Sequence, residues 1–502
     1  MKAIVIIKGI RLPIGCRVWL LLLLTVGLPL RFLAQESQYA RMVREMDTRS
    51  LPLVNLTVDT SQVCAESFVE GAIEIADLQR RTDPSSDTVR FHCLVRYRGT
   101  NALLHRKKSF AVKLIDGQGD DLDAPVLGIR EENSWILNAM AIDRARMRNM
   151  VCFDVWNEMS RTPYATKYGN RNGIKGHFVE LFVNGDYQGL YCLSDKVDRK
   201  LLGLKKVEGD STGVTYRGLL YKGVDWGSGC DLLSYDDDPD VEDGQWNAFE
   251  LQYPQDRSTP EAWRPLMDLI DFCSYQTSDS VFLAHYRDHF DVGNLADFVA
   301  FTWAMNVGDN AYKNTFLSVP DIRQGHRFLL TPWDMDMSLG GHWDGSYNDV
   351  PVDMIYLWAR APFDRLLMRN LDGFADSVAA RYRECFYSVL SEKHVVGIMR
   401  DYATQLMESG AWGREVAKWD GDPVPLRTSV FDEVDYIAGW YWRNQAVIGW
   451  QIGFDDVHEV AGDLQPSGGD IHAVDGRKIS IGDGRELPKG IYIQNGRKFV
   501  VK

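Results

Sequence analysis

The side chains of this chain best suited to chemistry form a group of acidic and amide residues in its second half. Asp309 and Asn314 have four residues between them in NVGDNAYKN, and Asp334 and Asp336 follow in PWDMD. Phosphate transfer to a hydroxyl needs a carboxylate that orients the hydroxyl, and oxygen ligands that hold a divalent cation against the phosphates. Protein kinases place these two kinds of residue at the same spacing. The pattern favours metal-dependent phosphoryl transfer, although a loop of capping side chains would fit Asp309 and Asn314 alone.

One lysine in the first half has the surroundings of a phosphate-binding residue. Lys113 lies in the apolar segment FAVKL, shortly after Lys107 and Lys108. In protein kinases a lysine on a strand contacts the phosphates of ATP. An exposed lysine at a strand end has similar neighbours, so the sequence leaves both interpretations of Lys113 open.

The upstream part of the chain is predicted to be mainly β. Alternating apolar residues predict strands at 89–97 and 109–115. Residues 177–193 predict a hairpin, because Asn184-Gly185 supports the positive φ angles of a tight turn. A helix is predicted over residues 142–159 from apolar residues at a helical period.

The downstream part is predicted to be mainly helical. Helices are expected at 261–276 and 293–307, a hairpin at 311–333, and nearly continuous helix over 363–450. The preceding Gly- and Asp-rich stretch, 205–255, is interpreted as an insertion. A β-rich half followed by an α-rich half predicts an α+β fold with two lobes.

Composition and charge restrict the class of protein. Apolar residues make up 45% and charged residues 25% of the 502, which is typical of a globular protein. The formal net charge of −14 argues against a nucleic-acid partner, because phosphate backbones require a basic surface. Cysteines are scattered without a CxxC pair, which indicates buried thiols with one or two disulfides at most, not a zinc site.

The N-terminus has the pattern of a secretory signal peptide. Lys2, Lys8, Arg11 and Arg17 precede an uncharged, leucine-rich run over 18–30 that is short for a membrane span. Cleavage after Ala34 and export to the periplasm, cell surface or medium are expected, with an uncleaved anchor as the alternative. N-terminal sequencing of the exported protein tests this, because recovery of Met1 would contradict it.

We therefore divide the chain into five segments. They are a signal peptide (1–34), a lead-in (35–55), a main domain (56–452), a Gly/Pro/Ser linker (453–469) and a small β-rich tail (470–502). After removal of the signal peptide, no segment of the sequence is expected to span a membrane.

Several ordered motifs resemble those of the CotH kinase family, the spore-coat type of atypical protein kinase, in an exported bacterial form. The resemblance covers about residues 56–452. The matching segments are RYRGTN with KKSFAVKL, WILN with Asp143 and Arg148-Asn149, VELFVNGDYQGLY, NVGDNAYKN and PWDMDMSLGG.

The resemblance implies an atypical two-lobed kinase-like fold that uses ATP with Mg²⁺ or Mn²⁺ and phosphorylates Ser or Thr of a protein. It implies the following roles: Asp309 as catalytic aspartate, Asn314 and Asp334 as metal ligands, Asp336 as a further acidic ligand, Lys113 as phosphate-binding lysine, and Arg98 and Arg148 as phosphate contacts or braces. Phe328 is a candidate for stacking on adenine, with a core role as its alternative.

Two positions depart from the family pattern, and other functions remain open. Thr100-Asn101 stands where a small polar Asn/His-Ser pair is usual, and Asp195 stands where Glu is common. The alternatives to a kinase are a non-catalytic surface or scaffold protein on the same fold, and nucleotidyl transfer at the same metal site. A carbohydrate-hydrolysing role is disfavoured because most tryptophans lie in helical core patterns.

Overall fold

The computed structural model describes most of the chain. The described residues are 36–78, 88–210, 213–225, 228–235, 244–255, 259–311, 313–351, 361–454, 471–473, 478–479, 490–494 and 497–501. The predicted signal peptide and nearly all of the predicted linker lie outside these ranges. Within them, no helix is both long and apolar enough to cross a membrane.

Nine α-helices lie in the described ranges. They are α1 (Gln38–Glu45), α2 (Arg148–Met159), α3 (Pro260–Cys273), α4 (Asp279–His289), α5 (Val292–Met305), α6 (Phe374–Phe386), α7 (Glu392–Glu408), α8 (Ala411–Lys418) and α9 (Val430–Gln451).

The strands precede most of the helices. They are β1 (Leu53–Val58), β2 (Val69–Ala76), β3 (Thr88–Arg98), β4 (Ser109–Ile115), β5 (Ala124–Pro125), β6 (Glu131–Glu132), β7 (Ser134–Asn138), β8 (Arg161–Thr166), β9 (Gly169–Arg171), β10 (Gly176–Val183), β11 (Asp186–Ser194), β12 (Glu208–Asp210), β13 (Gly213–Thr215), β14 (Leu219–Gly223), β15 (Gln245–Trp246), β16 (Phe249–Tyr253), β17 (Thr315–Val319), β18 (Leu329–Pro332), β19 (Ile471–Ala473), β20 (Lys478–Ile479), β21 (Gly490–Gln494) and β22 (Arg497–Val501). The α+β prediction, with a β-rich first half and a helical second half, is confirmed.

The first half is a closed barrel, and not the kinase lobe that we expected. Its strand order is β1-β10-β11-β7-β4-β3-β2. Closure depends on β1, which pairs in parallel with β10 and antiparallel with β2. Its first three residues belong to the segment interpreted as a lead-in, so the sequence prediction lacked the strand that joins the two edges. The kinase-like fold is thus not shown by this architecture.

A second sheet connects the barrel to the helices. Its order is β15-β16-β14-β17-β18, so the segment 205–255 contributes three of its strands and is not merely an insertion. Buried side chains of this sheet join those of α2, α3, α5 and α9 in one continuous core, and a separate cluster fills the barrel. The core of the sheet also includes Ile136, Phe178 and Leu190 from barrel strands, so the sheet packs in one core with residues of both halves.

The predicted hairpin at 177–193 is confirmed and contains a bulge. Asn184 and Gly185 have φ of 51° and 84° in the turn between β10 and β11. The register shifts between Leu181 and Phe182, which pair with Gly189 and Tyr187. Such a bulge bends a strand and exposes backbone groups to partners outside the ladder.

A buried group of three charges occupies this bulge and fastens the barrel to α8. Glu415 Oε1 accepts hydrogen bonds from Lys107 Nζ at 2.6 Å and from Arg146 Nε at 2.8 Å. Glu415 Oε2 accepts a bond from the backbone N–H of Leu190 at 2.7 Å. All three charged side chains are almost completely buried. Burial, opposed by the charge of Glu415, lowers the pKa of Lys107 to about 7, since two cations share one carboxylate.

This charge group predicts a pH dependence of stability. The pKa of Lys107 falls from 10.5 unfolded to about 7 folded, so between these values the unfolded chain binds more protons. Stability contributed by this site therefore rises with pH across that window. Relative to Lys107→Met, we expect the wild-type free energy of unfolding to gain on the order of 2 kcal/mol from pH 7 to 9. Urea titrations of both proteins measure it, and a pH-independent difference between them would contradict the assignment.

The cysteines are thiols. All seven in the described ranges are free, and six of them are buried. Burial raises the pKa of Cys93 and of Cys152 to about 12, which keeps them protonated and inert as nucleophiles.

Candidate active site

A polar cavity of about 630 Å³ lies where the barrel meets the second sheet. Five of the predicted residues line it together: Arg98, Asp309, Asn314, Asp334 and Asp336. Residues from opposite parts of the chain therefore share one space, with Arg98 at the end of β3 and the other four after α5 and around the β17–β18 hairpin. The volume is within the range of small-ligand sites.

The hairpin places Asn314 beside Asp334. Thr315 pairs with Pro332, so the residues just outside the ladder, Asn314 and Trp333, lie side by side at its open end. Trp333 N–H donates to the Asn314 carbonyl at 2.9 Å. Asn314 and Asp334 both have left-handed backbones, with φ of 55° and 57°. Asn and Asp adopt this conformation more readily than other non-glycine residues, so the backbone itself favours the two side chains that chemistry needs here.

Asp309 is held next to Asn314 by a short helical turn. The turn Gly308–Ala311 follows α5, whose end is marked by Asn306 in a left-handed conformation. Asp309 Oδ2 lies 3.3 Å from the Asn314 amide nitrogen and 3.2 Å from Lys313 Nζ. The Asp309 carboxylate is thus buried but has a hydrogen-bond donor and a cation beside it.

The floor of the cavity concentrates negative charge. The pKa of Asp336 is raised well above its usual range, first by burial and then by the charges of Asp334, Asp143 and Asp309. A bound cation would offset this repulsion. Within the described ranges no three His, Cys, Asp or Glu side chains are grouped as a metal site. The donors present suit Mg²⁺, which is held by one or two carboxylates and completes its shell with waters and phosphate oxygens.

Arg98 and Lys222 line the same cavity as the carboxylates. Burial lowers the pKa of Arg98, and the charges of Asp334 and Asp336 oppose this shift. Burial and the charge of Arg98 lower the pKa of Lys222, opposed by the charges of Asp334 and Glu250. Arg98 lies over the Trp333 ring, with its guanidinium carbon 5.6 Å from the ring centroid. Neither side chain forms an ion pair with any residue that the structure describes. Two partly buried cations in one cavity have the charge to hold an anion such as a polyphosphate.

Three other predicted residues lie elsewhere. Lys113 is four residues along β4 from the cavity-lining Ser109, and its ammonium is paired with Asp121 at 2.6 Å. A phosphate-binding role for it is not supported, since strand spacing carries it away from the cavity. Phe328 is completely buried beside Tyr221, which corresponds to the core alternative and not to adenine stacking.

Arg148 acts as a brace. It is buried and paired with Asp143, and its Nε donates to the Ser338 carbonyl at 2.9 Å. The loop that bears Asp334 and Asp336 is thereby tied to the start of α2. The predicted helix over 142–159 begins only at Arg148 because the Asp143 carboxylate accepts the N–H groups of Met147 and Arg148.

Lys222 and Trp343 line the cavity but were not predicted from the sequence. Lys222 lies on β14 within the stretch interpreted as an insertion, although LLYKG has the apolar neighbours expected of a strand. Trp343 lines the cavity with 59% of its surface exposed. A large exposed aromatic side chain at a cavity mouth is a common ligand contact. Its position shortly after PWDMD was the feature of the sequence from which a place near the site could have been predicted.

The profile of the family described as CotH kinase protein matches residues 95–448, a range that includes every cavity residue discussed above. A comparison with curated proteins gives no match.

Proposed function

Because the chain belongs to the CotH kinase family, we propose that it is an exported, metal-dependent kinase that transfers the γ-phosphoryl group of ATP to Ser or Thr of a protein. The observation that carries this proposal is the division of charge in the cavity. Arg98 and Lys222 line it without ion-pair partners among the described residues, in the same space as the carboxylates of Asp309, Asp334 and Asp336. ATP with a divalent cation has the matching distribution of charge.

Each residue has a role that follows from its place. Asp309 accepts a hydrogen bond from the acceptor hydroxyl, whose oxygen attacks the γ-phosphorus while the bond to the bridging oxygen of ADP breaks. The hydroxyl proton passes to the Asp309 carboxylate. Asn314 and Asp334 would hold Mg²⁺ or Mn²⁺, which offsets phosphate charge when bound. Arg98 and Lys222 bind the phosphate oxygens.

The apolar part of the cavity wall suits the nucleobase. Trp343, Ile142 and Met337 line it together, and the indole of Trp343 is exposed enough to stack on a ring. Trp343 thus replaces Phe328 as the candidate for adenine stacking.

Lys222 and Lys113 make opposite predictions about ATP affinity. Lys222→Met removes a cation from the cavity, and we expect ATP to bind about tenfold more weakly, as for loss of a charged hydrogen bond. Lys113→Met is the matched control, because its ammonium is neutralised by Asp121 outside the cavity. Isothermal titration of both variants with Mg-ATP measures this. If ATP affinity falls in Lys113→Met and not in Lys222→Met, Lys113 is the phosphate-binding lysine, as the sequence predicted.

Transfer of radiolabel tests the proposal against its alternatives. Residues 35–502 are incubated with a mixture of potential acceptor proteins and either γ-labelled or α-labelled ATP, with and without Mg²⁺ or Mn²⁺. Metal-dependent label from the γ position alone supports a kinase. Label from the α position supports nucleotidyl transfer, the alternative that uses the same metal site. Absence of both label and ATP binding supports a scaffold protein.

A further inference from the structure

The three-charge group of Lys107, Arg146 and Glu415 continues directly into the wall of the cavity. Arg146 Nη1 donates to the carbonyls of Met140 at 2.6 Å, Ala141 at 2.8 Å and Asp143 at 2.8 Å. The guanidinium therefore joins Glu415 on one side to three carbonyls of the loop 140–143 on the other.

The backbone held by Arg146 forms part of the candidate active site. Ala141 and Ile142 line the cavity, as does Asn138 at the end of β7. Met140 and Arg146 have φ of 51° and 54°, conformations that side-chain-bearing residues other than Asn and Asp rarely adopt. Such a backbone persists only where surrounding contacts determine it. Here Asn138 Oδ1 accepts the Met140 N–H at 2.9 Å, and Arg146 holds the carbonyls on the other side.

Glu415 is the residue that fixes Arg146. Its carboxylate reaches through the bulge of the β10–β11 hairpin, where a Cβ on Gly189 would lie 2.2 Å from Oε2. Gly189 has φ of 108°, so both its conformation and the passage of Glu415 require glycine. The second glycine of the hairpin motif VNGDYQGLY thus leaves the space that the Glu415 carboxylate of α8 occupies.

We infer that Glu415 is a positioning residue of the active site, which holds the wall at Met140–Ile142 through Arg146. The inference rests on the proposed function for its effect on transfer, whereas its structural part stands without it. Glu415 itself is not among the cavity-lining residues, so it acts on the ATP site only through Arg146. Loss of its charge would free Arg146 and let the wall leave its left-handed conformation.

The chain provides a matched control. Glu180 on β10 is also fully buried, and its carboxylate accepts two hydrogen bonds from Arg414 at 2.8 and 2.6 Å. Arg414 immediately precedes Glu415 on α8, but this pair faces away from the cavity lining. Glu180→Gln therefore imposes the same chemical change on a buried, arginine-paired carboxylate without touching the wall.

The test compares Glu415→Gln with Glu180→Gln in the full chain, well below the unfolding temperature of both. Hydrogen exchange by mass spectrometry is followed at the hydrogen-bonded amides of residues 139–147. We expect exchange there to rise about tenfold or more in Glu415→Gln and to stay near the wild-type rate in Glu180→Gln. Phosphate transfer should fall about 10–100-fold in Glu415→Gln only, the size expected of misplaced substrate contacts.

The outcomes separate the inference from the proposed function. Equal exchange at 139–147 in the two variants would overturn the role of Glu415 whatever the activity. Failure of the wild-type protein to bind ATP would overturn the proposed function, and the exchange result would still decide the role of Glu415. If Glu415→Gln does not fold, Lys107→Met/Glu415→Gln takes its place, because it also removes the surplus cation.

Discussion

Asp309→Asn is expected to lower phosphate transfer by about 10²–10⁴-fold while ATP and Mg²⁺ binding stay within about twofold of wild type. The asparagine has nearly the same shape and retains an oxygen next to the Asn314 amide. It cannot take the proton of the acceptor hydroxyl. The rate of label transfer from γ-labelled ATP and the calorimetric affinity for Mg-ATP, measured on the same preparation, separate catalysis from binding.

Two comparisons make the Asp309 result interpretable. Lys313→Met breaks the ion pair with Asp309 but leaves the carboxylate, so a loss caused only by that ion pair would appear in both variants. Asn314→Ala should lower metal affinity and transfer together. If an Asp309→Asn protein phosphorylates an acceptor, or itself, at the wild-type rate, Asp309 is not the catalytic aspartate and its spacing from Asn314 is a coincidence. The scaffold interpretation would then be preferred.

Asp334→Asn is expected to abolish the metal dependence of ATP binding, with a loss of about 100-fold or more in affinity for Mg-ATP. Loss of a residue that hydrogen-bonds to a metal ligand lowers metal affinity or activity about 10–100-fold, and loss of the ligand itself is expected to cost more. Asparagine is the appropriate replacement because Asp334 has a left-handed backbone that asparagine tolerates and alanine does not. The measurement is calorimetric titration of ATP with and without Mg²⁺.

Asp344→Asn is the control for the Asp334 experiment. Asp344 is exposed, lies next to Trp343 and is not among the cavity-lining residues, so its replacement removes one negative charge near the site without removing a ligand. We expect ATP affinity to remain unchanged in this variant. If Asp334→Asn bound Mg-ATP as tightly as Asp344→Asn, the metal-ligand role of Asp334 would be wrong, and Asp336 would be the carboxylate to examine.

The local elements and the acidic part of the site were predictable from the sequence. Asn184-Gly185 specified a turn through its φ preferences, and the alternation in 109–115 specified β4 with its observed bounds. Asp309, Asn314 and Asp334 come together because a single turn and a single hairpin connect them. Interactions of this kind span few residues, so their spacing in the chain carries the information.

The cationic part of the site was decided by tertiary structure. Lys113 and Lys222 have similar apolar neighbours on strands, and periodicity tells which face a residue occupies but not what lies opposite that face. The chain turns back directly after β4, where Ile115 bridges to Asp121, and so places Asp121 beside Lys113, whereas the second sheet brings Lys222 to the cavity. Glu415 contacts Lys107 from 308 positions away, and no local pattern encodes such a pairing. The sequence by itself thus determined the residues that chemistry needs, whereas packing between distant strands and helices decided which cations face them.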